Sequence, residues 1–299
     1  MTAVYQTTLK TPISCTGIGL HSGEKAVMTM KPTEAGSGIA FERTDLSNGA
    51  RHFPARFDMV SDTFLCTTLR NASGATLATV EHVMAALAGC GIDNVMIEVN
   101  GPELPIMDGS SEAFVFLIEC AGIEVLEAPR RCVRVLREVS VRDGDRVAQL
   151  SPSGDRSFRC EIVYDNPQIA TQSASLDLDR EAFKSDIARA RTFGLMEEVD
   201  GLRANGLALG GSLDNAVVVS GEKVLNEGGL RYENEFARHK VLDAIGDLAL
   251  AGAPILGAFD GYCSGHALNN KLLLALFEDD DAWCWEVAAE QSELLAATA

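Results

Sequence analysis

The sequence predicts an α+β fold of two similar domains, each with a sheet packed on helices, and an active site between them. Three observations point there. Each half of the chain reads as strands, a helix closed by glycine, a strand, a loop and a second helix. The segment E-A-P-R-R at 127–131 is polar, carries a proline and separates two apolar stretches, so it reads as a linker between domains at 1–128 and 129–299. The first helix of each half also carries ionisable residues, Glu81 and His82 in one and His239 and Asp243 in the other. No residue-level repeat accompanies this symmetry, which therefore reads as a duplication of structure.

Composition narrows the class. With 299 residues, 46% hydrophobic and 23% charged, the chain has the makeup of a soluble globular enzyme with a sizeable core. Its 43 acidic against 25 basic residues give a formal net charge of −18. That balance disfavours a sequence-independent grip on nucleic acid and allows at most peripheral membrane contact, while a local basic pocket for a phosphorylated ligand stays open. The eight cysteines form no C-x-x-C, and several, such as Cys120, sit within apolar runs. Reduced, packed thiols in a cytoplasmic protein are expected. The N-terminus lacks a basic-then-apolar signal pattern, and the longest apolar stretches, such as 272–277, are too short to span a bilayer.

In chain order, 26–30, 38–42 and 63–69 have the composition of strands. The turn G-I-G-L-H-S-G at 17–23 matches neither G-x-G-x-x-G nor G-x-x-x-x-G-K and precedes a strand, which excludes a nucleotide loop. Thr79 stands as N-cap of a helix over V-E-H-V-M-A-A-L-A-G, with Gly89 and Gly91 closing it. A strand at 94–99, the loop N-G-P-E-L-P-I-M-D-G-S-S and a second helix to about Gly122 follow. In the second half, 132–136 and 158–164 read as strands and 139–150 as a hairpin around Asp143-Gly144. A helix near 179–190 leads into I-A-R-A-R-T-F-G, and M-E-E-V-D-G-L-R-A-N-G forms a short helix. A strand at 216–220 precedes a long helix at 233–252, and a strand at 254–259, the turn D-G-Y-C-S-G-H and a last helix complete the series.

The helix at 233–252 organises the chemistry. Phe236, Val241, Leu242, Ile245, Leu248 and Ala249 spread over one apolar face, Gly252 ends the helix and Pro254 forbids its continuation. His239 and Asp243, four residues apart, share one stripe and can hold two positions of a divalent ion; Asp247 lies four further along. An isolated H-x-x-x-D is more often a solvated surface pair, so the rest of the chain must supply a third ligand and a base. His82 offers the ligand. A His₂Asp set with an open fourth position is the arrangement of a catalytic zinc, which would lower the pKa of bound water to roughly 7 and polarise a carbonyl. Glu81 would take the water's proton, and His266, held charged by Asp247, would give one to a leaving amine. The same donors also suit a non-haem iron(II) triad. H-E-x-x-H, H-x-x-E-H and G-x-S-x-G are absent, which disfavours the proteases and hydrolases that carry them.

The segments T-V-E-H-V-M-A-A-L-A-G-C-G-I-D-N, P-I-M-D-G-S, A-R-A-R-T-F-G, V-L-N-E-G-G-L-R, F-A-R-H-K-V-L-D-A-I-G-D-L and S-G-H-A-L-N-N-K-L resemble the zinc-dependent UDP-3-O-acyl-N-acetylglucosamine deacetylases of lipid A biosynthesis. The similarity runs from about Leu9 to Phe277. It implies a monomeric cytoplasmic deacetylase that releases acetate from a UDP-linked acylated glucosamine, the committed step of that synthesis. The implied cofactor is Zn²⁺, with Fe²⁺ as the alternative metal in the cell. The implied ligands are His82, His239 and Asp243, with Glu81 as base, His266 as cationic acid assisted by Asp247, and Thr192 as hydrogen-bond donor to the tetrahedral oxyanion. Phe193 would border the sugar, Lys240 would assist the polar head, and His21 would lie near the site. The acyl chain would run through a passage at 196–212, contacted by Leu20, Met196 and Gly211. Cys66 would be a packed thiol near the metal.

Overall fold

Alternating burial along Lys25–Pro32, with Ala26, Met28 and Met30 inside, turns one face of a five-stranded sheet toward the core. The strand order is Ile13–Ile18, Lys25–Pro32, Val95–Val99, Ile39–Arg43, His52–Pro54. Ile39–Arg43 and Val95–Val99 run parallel, so the chain between them must cross over, and helix Glu81–Cys90 lies in that connection. Helix Glu112–Ala121 packs against it. The computed structural model describes residues 4–288; the remainder of the expected second domain, 289–299, lies outside the described residues.

In the second half a seven-stranded sheet forms around Ile255–Tyr262. That strand pairs antiparallel with Arg146–Ser151 and parallel with Arg131–Val135 and Arg156–Val163. Helix Glu235–Ala249 packs on Arg156–Val163 and Thr171–Asp177, and helix His266–Glu278 on the hairpin Val139–Asp143 and Arg146–Ser151. The chain is thus a mixed α+β protein with several sheets and six α-helices among the described residues.

Several local expectations are corrected. Residues 127–131 are not an open linker: Ile123–Pro129 pairs antiparallel with Tyr5–Leu9, and Arg131–Val135 enters the large sheet at once. Pro129 ends its strand, where a missing N–H is tolerated. Thr79 does not cap the first helix. The cap residue is Val80, without a side-chain bond, while Thr79 takes φ +61° and donates Oγ1 to Glu103 Oε1 at 3.0 Å. Gly89 lies inside that helix, and Gly91, at φ +71°, closes it. Within 63–69 only the last residues join a strand, Thr68–Arg70, and Phe64 and Leu65 sit exposed in a bend. The helix expected near 179–190 is one turn, Arg180–Ala182, capped by Asp179 and continuing into a wider turn at Phe183–Ile187.

The first and central helices touch at Gly246. A Cβ there would stand 2.0 Å from the Glu81 carbonyl oxygen, closer than any side chain tolerates. Glycine inside a helix costs about 1 kcal/mol relative to alanine, and here the cost is offset by this close approach. Twelve of the fifteen residues of Glu235–Ala249 are buried, so its polar residues must find partners within the protein. Gly246→Ala gains helix propensity but forces the two backbones apart. We expect a net loss of about 1–3 kcal/mol by urea unfolding, as for overpacked cores. An unchanged or raised midpoint would show that the crossing does not need glycine.

Candidate metal centre

Four segments converge at this crossing: the first turn of Glu81–Cys90, the middle of Glu235–Ala249, the start of His266–Glu278 and the chain at Cys66 and Thr67. His82, His239 and Asp243 each bring one ligand atom into a group whose members all lie within 4.8 Å of one another, and all three residues are buried. His239 Nδ1 lies 3.0 Å from the Ala190 carbonyl oxygen, which leaves Nε2 toward Asp243 Oδ1 at 3.2 Å. The outer bond sets the ring's orientation, as second partners of ligating histidines do. The His82 and His239 rings stand edge to face at 5.1 Å.

The donor set fits a metal ion. His82 Nδ1 and Asp243 Oδ1 are buried without a hydrogen-bond partner among the described residues. Burial, with His239 nearby, lowers the His82 pKa to about 3, and burial likewise lowers that of His239. Both rings therefore stay neutral at ordinary pH, as ligation requires. Burial alone would raise Asp243, but the Lys240 ammonium, 2.7 Å from Oδ2, and the charged His266 more than offset it and hold the carboxyl ionised. The surface reading of H-x-x-x-D does not apply here, since both members are buried.

Two more titratable groups flank the cluster. Glu81 Oε1 is 4.0 Å from His82 Nε2, and its other oxygen accepts the Thr67 backbone N–H at 3.0 Å. Burial raises its pKa to about 7 although the His266 charge acts in the opposite sense. His266 Nδ1 lies 2.8 Å from Asp247 Oδ2. Burial disfavours its charged form, but Asp247 prevails and the pKa rises to about 9. The result is a carboxylate that protonates easily beside an imidazole that stays charged.

The remaining expected residues take distinct places. Thr192 is held through its backbone, its N–H donating to Gly109 O and its carbonyl accepting from the Val217 N–H, each at 2.8 Å. Phe193 stands edge to face with Phe236 at 4.9 Å and with His239 at 6.3 Å. The Lys240 Nζ is 5.4 Å from the Phe193 ring, so the ammonium is shared between Asp243 and that aromatic face. His21 is buried with both ring nitrogens unpartnered among the described residues. Burial lowers its pKa, against the pull of Glu103. The backbone joins Leu20 and His21 to the insert, with Gly210 N to Leu20 O at 3.0 Å and Leu209 N to His21 O at 3.1 Å. A Cβ on Gly211 would lie 3.7 Å from Leu20 Cδ1. Met196, by contrast, is exposed at the start of helix Met196–Ala204. Burial, with Glu81 nearby, pushes the Cys66 thiol up to about 12, so it packs as a protonated thiol.

Three buried polar residues went unread in the sequence. Thr67 joins both flanking carboxylates, its hydroxyl donating to Asp247 Oδ1 at 2.6 Å while its N–H holds Glu81. Asn269 donates to Asp247 Oδ2 at 2.8 Å, and its place three residues after His266 on one helix face was the available signal. Glu103 receives the N–H groups of His21 and Ser22 at 2.9 and 2.8 Å. The glycine-rich turn at 17–23 therefore cradles an anion after all, but that anion is a side chain of the protein.

A buried His₂Asp cluster with a carboxylate and a charged imidazole beside it has the layout of a metal-dependent hydrolase. Comparison with known proteins narrows this. Residues 6–278 match the model of the family described as LpxC, UDP-3-O-acyl N-acetylglycosamine deacetylase, and the chain belongs to that family. It is 49% identical to the UDP-3-O-acyl-N-acetylglucosamine deacetylase of Xanthomonas oryzae pv. oryzae strain PXO99A over 290 residues, covering 96% of this chain and 95% of that one. Similar proteins of the same description occur in Vibrio parahaemolyticus, 47% identical over 96% and 95% of the two chains, and in Shewanella frigidimarina, 49% over 94% and 92%.

Metal analysis of variants tests the cluster. His239→Ala should leave the purified protein with metal affinity at least roughly tenfold weaker, since a first ligand matters no less than the outer partners whose loss costs 10–100-fold. Full occupancy in that variant would remove His239 from the ligand set.

Proposed function

We propose that the chain is a zinc-dependent deacetylase that hydrolyses the acetamide of UDP-3-O-acyl-N-acetylglucosamine to acetate and a free amine, in lipid A biosynthesis. Family membership carries the substrate. The observation that carries the reaction type is the packing of a His₂Asp group against a carboxylate of raised pKa and a charged imidazole. His82, His239 and Asp243 would hold the metal, which supplies, when bound, a Lewis acid that acidifies a water and polarises the amide carbonyl. In this reading two domains, 1–128 and 129–299, form opposite walls of the site, one contributing Glu81 and His82 and the other the remaining groups.

The proton transfers fall to Glu81 and His266. Glu81 accepts a proton from the attacking water as the new C–O bond forms; a pKa near 7 lets it take that proton and release it again. His266 is tied through Nδ1 to Asp247, so Nε2 faces the substrate, steadies the oxyanion and delivers a proton to the amine as the C–N bond breaks. The hydroxyl of Thr192 donates to the same oxyanion. Phe193 borders the sugar, His21 lines the approach, and Lys240 turns its charge to the polar head. The acyl chain passes between Leu20 and the turn at 208–211 and leaves near Met196.

Catalysis in this reading needs His266 protonated, so kcat/KM falls as pH rises through about 9. Asp247→Asn removes the charge that raises this pKa and leaves the burial that lowers it, so the alkaline limb should move to lower pH. A limb that stays in place would take His266 out of the acid's role. Glu81→Gln should lower kcat by roughly 10²-fold or more with metal retained; near-normal turnover would assign the base elsewhere.

The acyl passage is tested at Gly211 rather than at Ala208, whose φ of +53° would strain any large side chain. Gly211→Leu should raise KM for a long-chain substrate well above that for a truncated one. Equal effects on both would place the chain elsewhere.

A further inference from the structure

The proposed chemistry leaves unused a cleft of about 710 Å³ lined by residues from both halves. The ends of the first and central helices, at Gly91 and Gly252, reach it. Four of the ionised side chains lining it are arginines, Arg56, Arg130, Arg131 and Arg156, and one is a carboxylate, Asp93. In a chain of net charge −18 that local excess runs against the whole.

Two of these arginines are engaged. Arg130 donates to Asp93 Oδ2 through Nε at 3.0 Å and Nη2 at 2.7 Å, and to the Gly91 carbonyl at 2.7 Å. Arg56 pairs with Asp58 at 2.6 Å. The other two have no carboxylate partner among the described residues. The Arg131 guanidinium lies 4.2 Å from the centre of the Trp285 ring. Arg156 Nε is buried with no hydrogen-bond partner among the described residues. Arg156 shares a strand face with Phe158, Cys160 and Ile162, which point into the core. Burial, with Arg130 nearby, lowers its pKa to about 10, so it stays charged at neutral pH. Asp93, the carboxylate that acts on Arg156, is already held by Arg130, so the buried Nε donor of Arg156 is left open to an occupant. The wall beside it is apolar: Phe158, Ile245, Leu248, Ile255 and the Trp285 ring.

We propose that this cleft binds an amphiphilic anion, a carboxylate or phosphate monoester on an aliphatic body, with Arg156 and Arg131 on the head and the Phe158, Ile245 and Leu248 wall on the body. Guanidinium forks suit both head groups. The site is separate from the metal centre but shares its helix. Ile245 lies two residues from Asp243 and from Asp247, about 200° around the axis, so a ligand here rests on the back of the helix that carries them.

The chain's two tryptophans, Trp283 and Trp285, have rings 5.4 Å apart, and Trp285 lines the cleft, so their fluorescence reports locally. The metal-loaded, full-length protein is titrated with decyl phosphate, decanoate and decanol, each below its aggregation threshold. At least one anion should change the emission saturably, more weakly at high salt, while decanol does not, and the ratio of the two anions assigns the head group. Arg156→Met should weaken binding at least tenfold, keep acetate release in the absence of probe, and unfold at an unchanged or higher temperature. A lowered midpoint would instead make Arg156 a structural residue and overturn the proposal. Arg131→Ala, at the rim, is the companion variant and should weaken the anions severalfold. Absence of a response to both anions, equal binding of decanol, or wild-type affinity in either variant would also overturn it.

Discussion

The contact between Gly246 and the backbone of Glu81 is the constraint on which the rest of the centre depends. It brings the start of one helix against the middle of another, so residues adjacent on the first, Glu81 and His82, face residues spaced by four on the second. Glu81 and His82 diverge by about 100° around their own helix, and both reach one region because that region lies beyond the helix end. The central helix can then remain regular from Glu235 to Ala249 and present His239, Asp243 and Asp247 without a loop. Rigid elements hold such groups more accurately than loops do.

Burial explains the electrostatics that follow. Three carboxylates, Glu81, Asp243 and Asp247, are each about 2% exposed and would repel one another if left alone. Each has its own arrangement. Asp243 has the Lys240 ammonium, Asp247 has His266, Asn269 and the Thr67 hydroxyl, and Glu81 is held by backbone N–H groups, that of Thr67 among them. The least compensated of the three is the one whose pKa rises. Thr67 links two of them, so the orientation of Glu81 and that of the Asp247–His266 pair are mechanically coupled.

How much of this was readable in the sequence varied with the range of the interaction. The stripe of His239, Asp243 and Asp247 is a local periodicity, and Gly252 and Pro254 mark its end, so the central helix and two ligands stood out. His82 and His266 stood out by their motifs. Thr67 did not, because its partners lie 14 and 180 residues away and its own neighbourhood reads as an ordinary strand. The proline and charges at 127–131 suggested a linker, but pairing with Tyr5–Leu9, more than a hundred residues earlier, overrode local composition. The cap assigned to Thr79 failed for a related reason. Glu103 offers its hydroxyl a better acceptor, and the backbone follows into the left-handed region.

The central claim is that a metal held by His82, His239 and Asp243 drives hydrolysis of an N-acetyl group. Its most direct test is acetate release from UDP-3-O-acyl-N-acetylglucosamine, followed under anaerobic conditions before chelation, after chelation and after return of one equivalent of Zn²⁺. The account predicts turnover without oxygen, its loss on chelation and its recovery with the single equivalent. Undiminished acetate release from protein shown to be metal-free would contradict it.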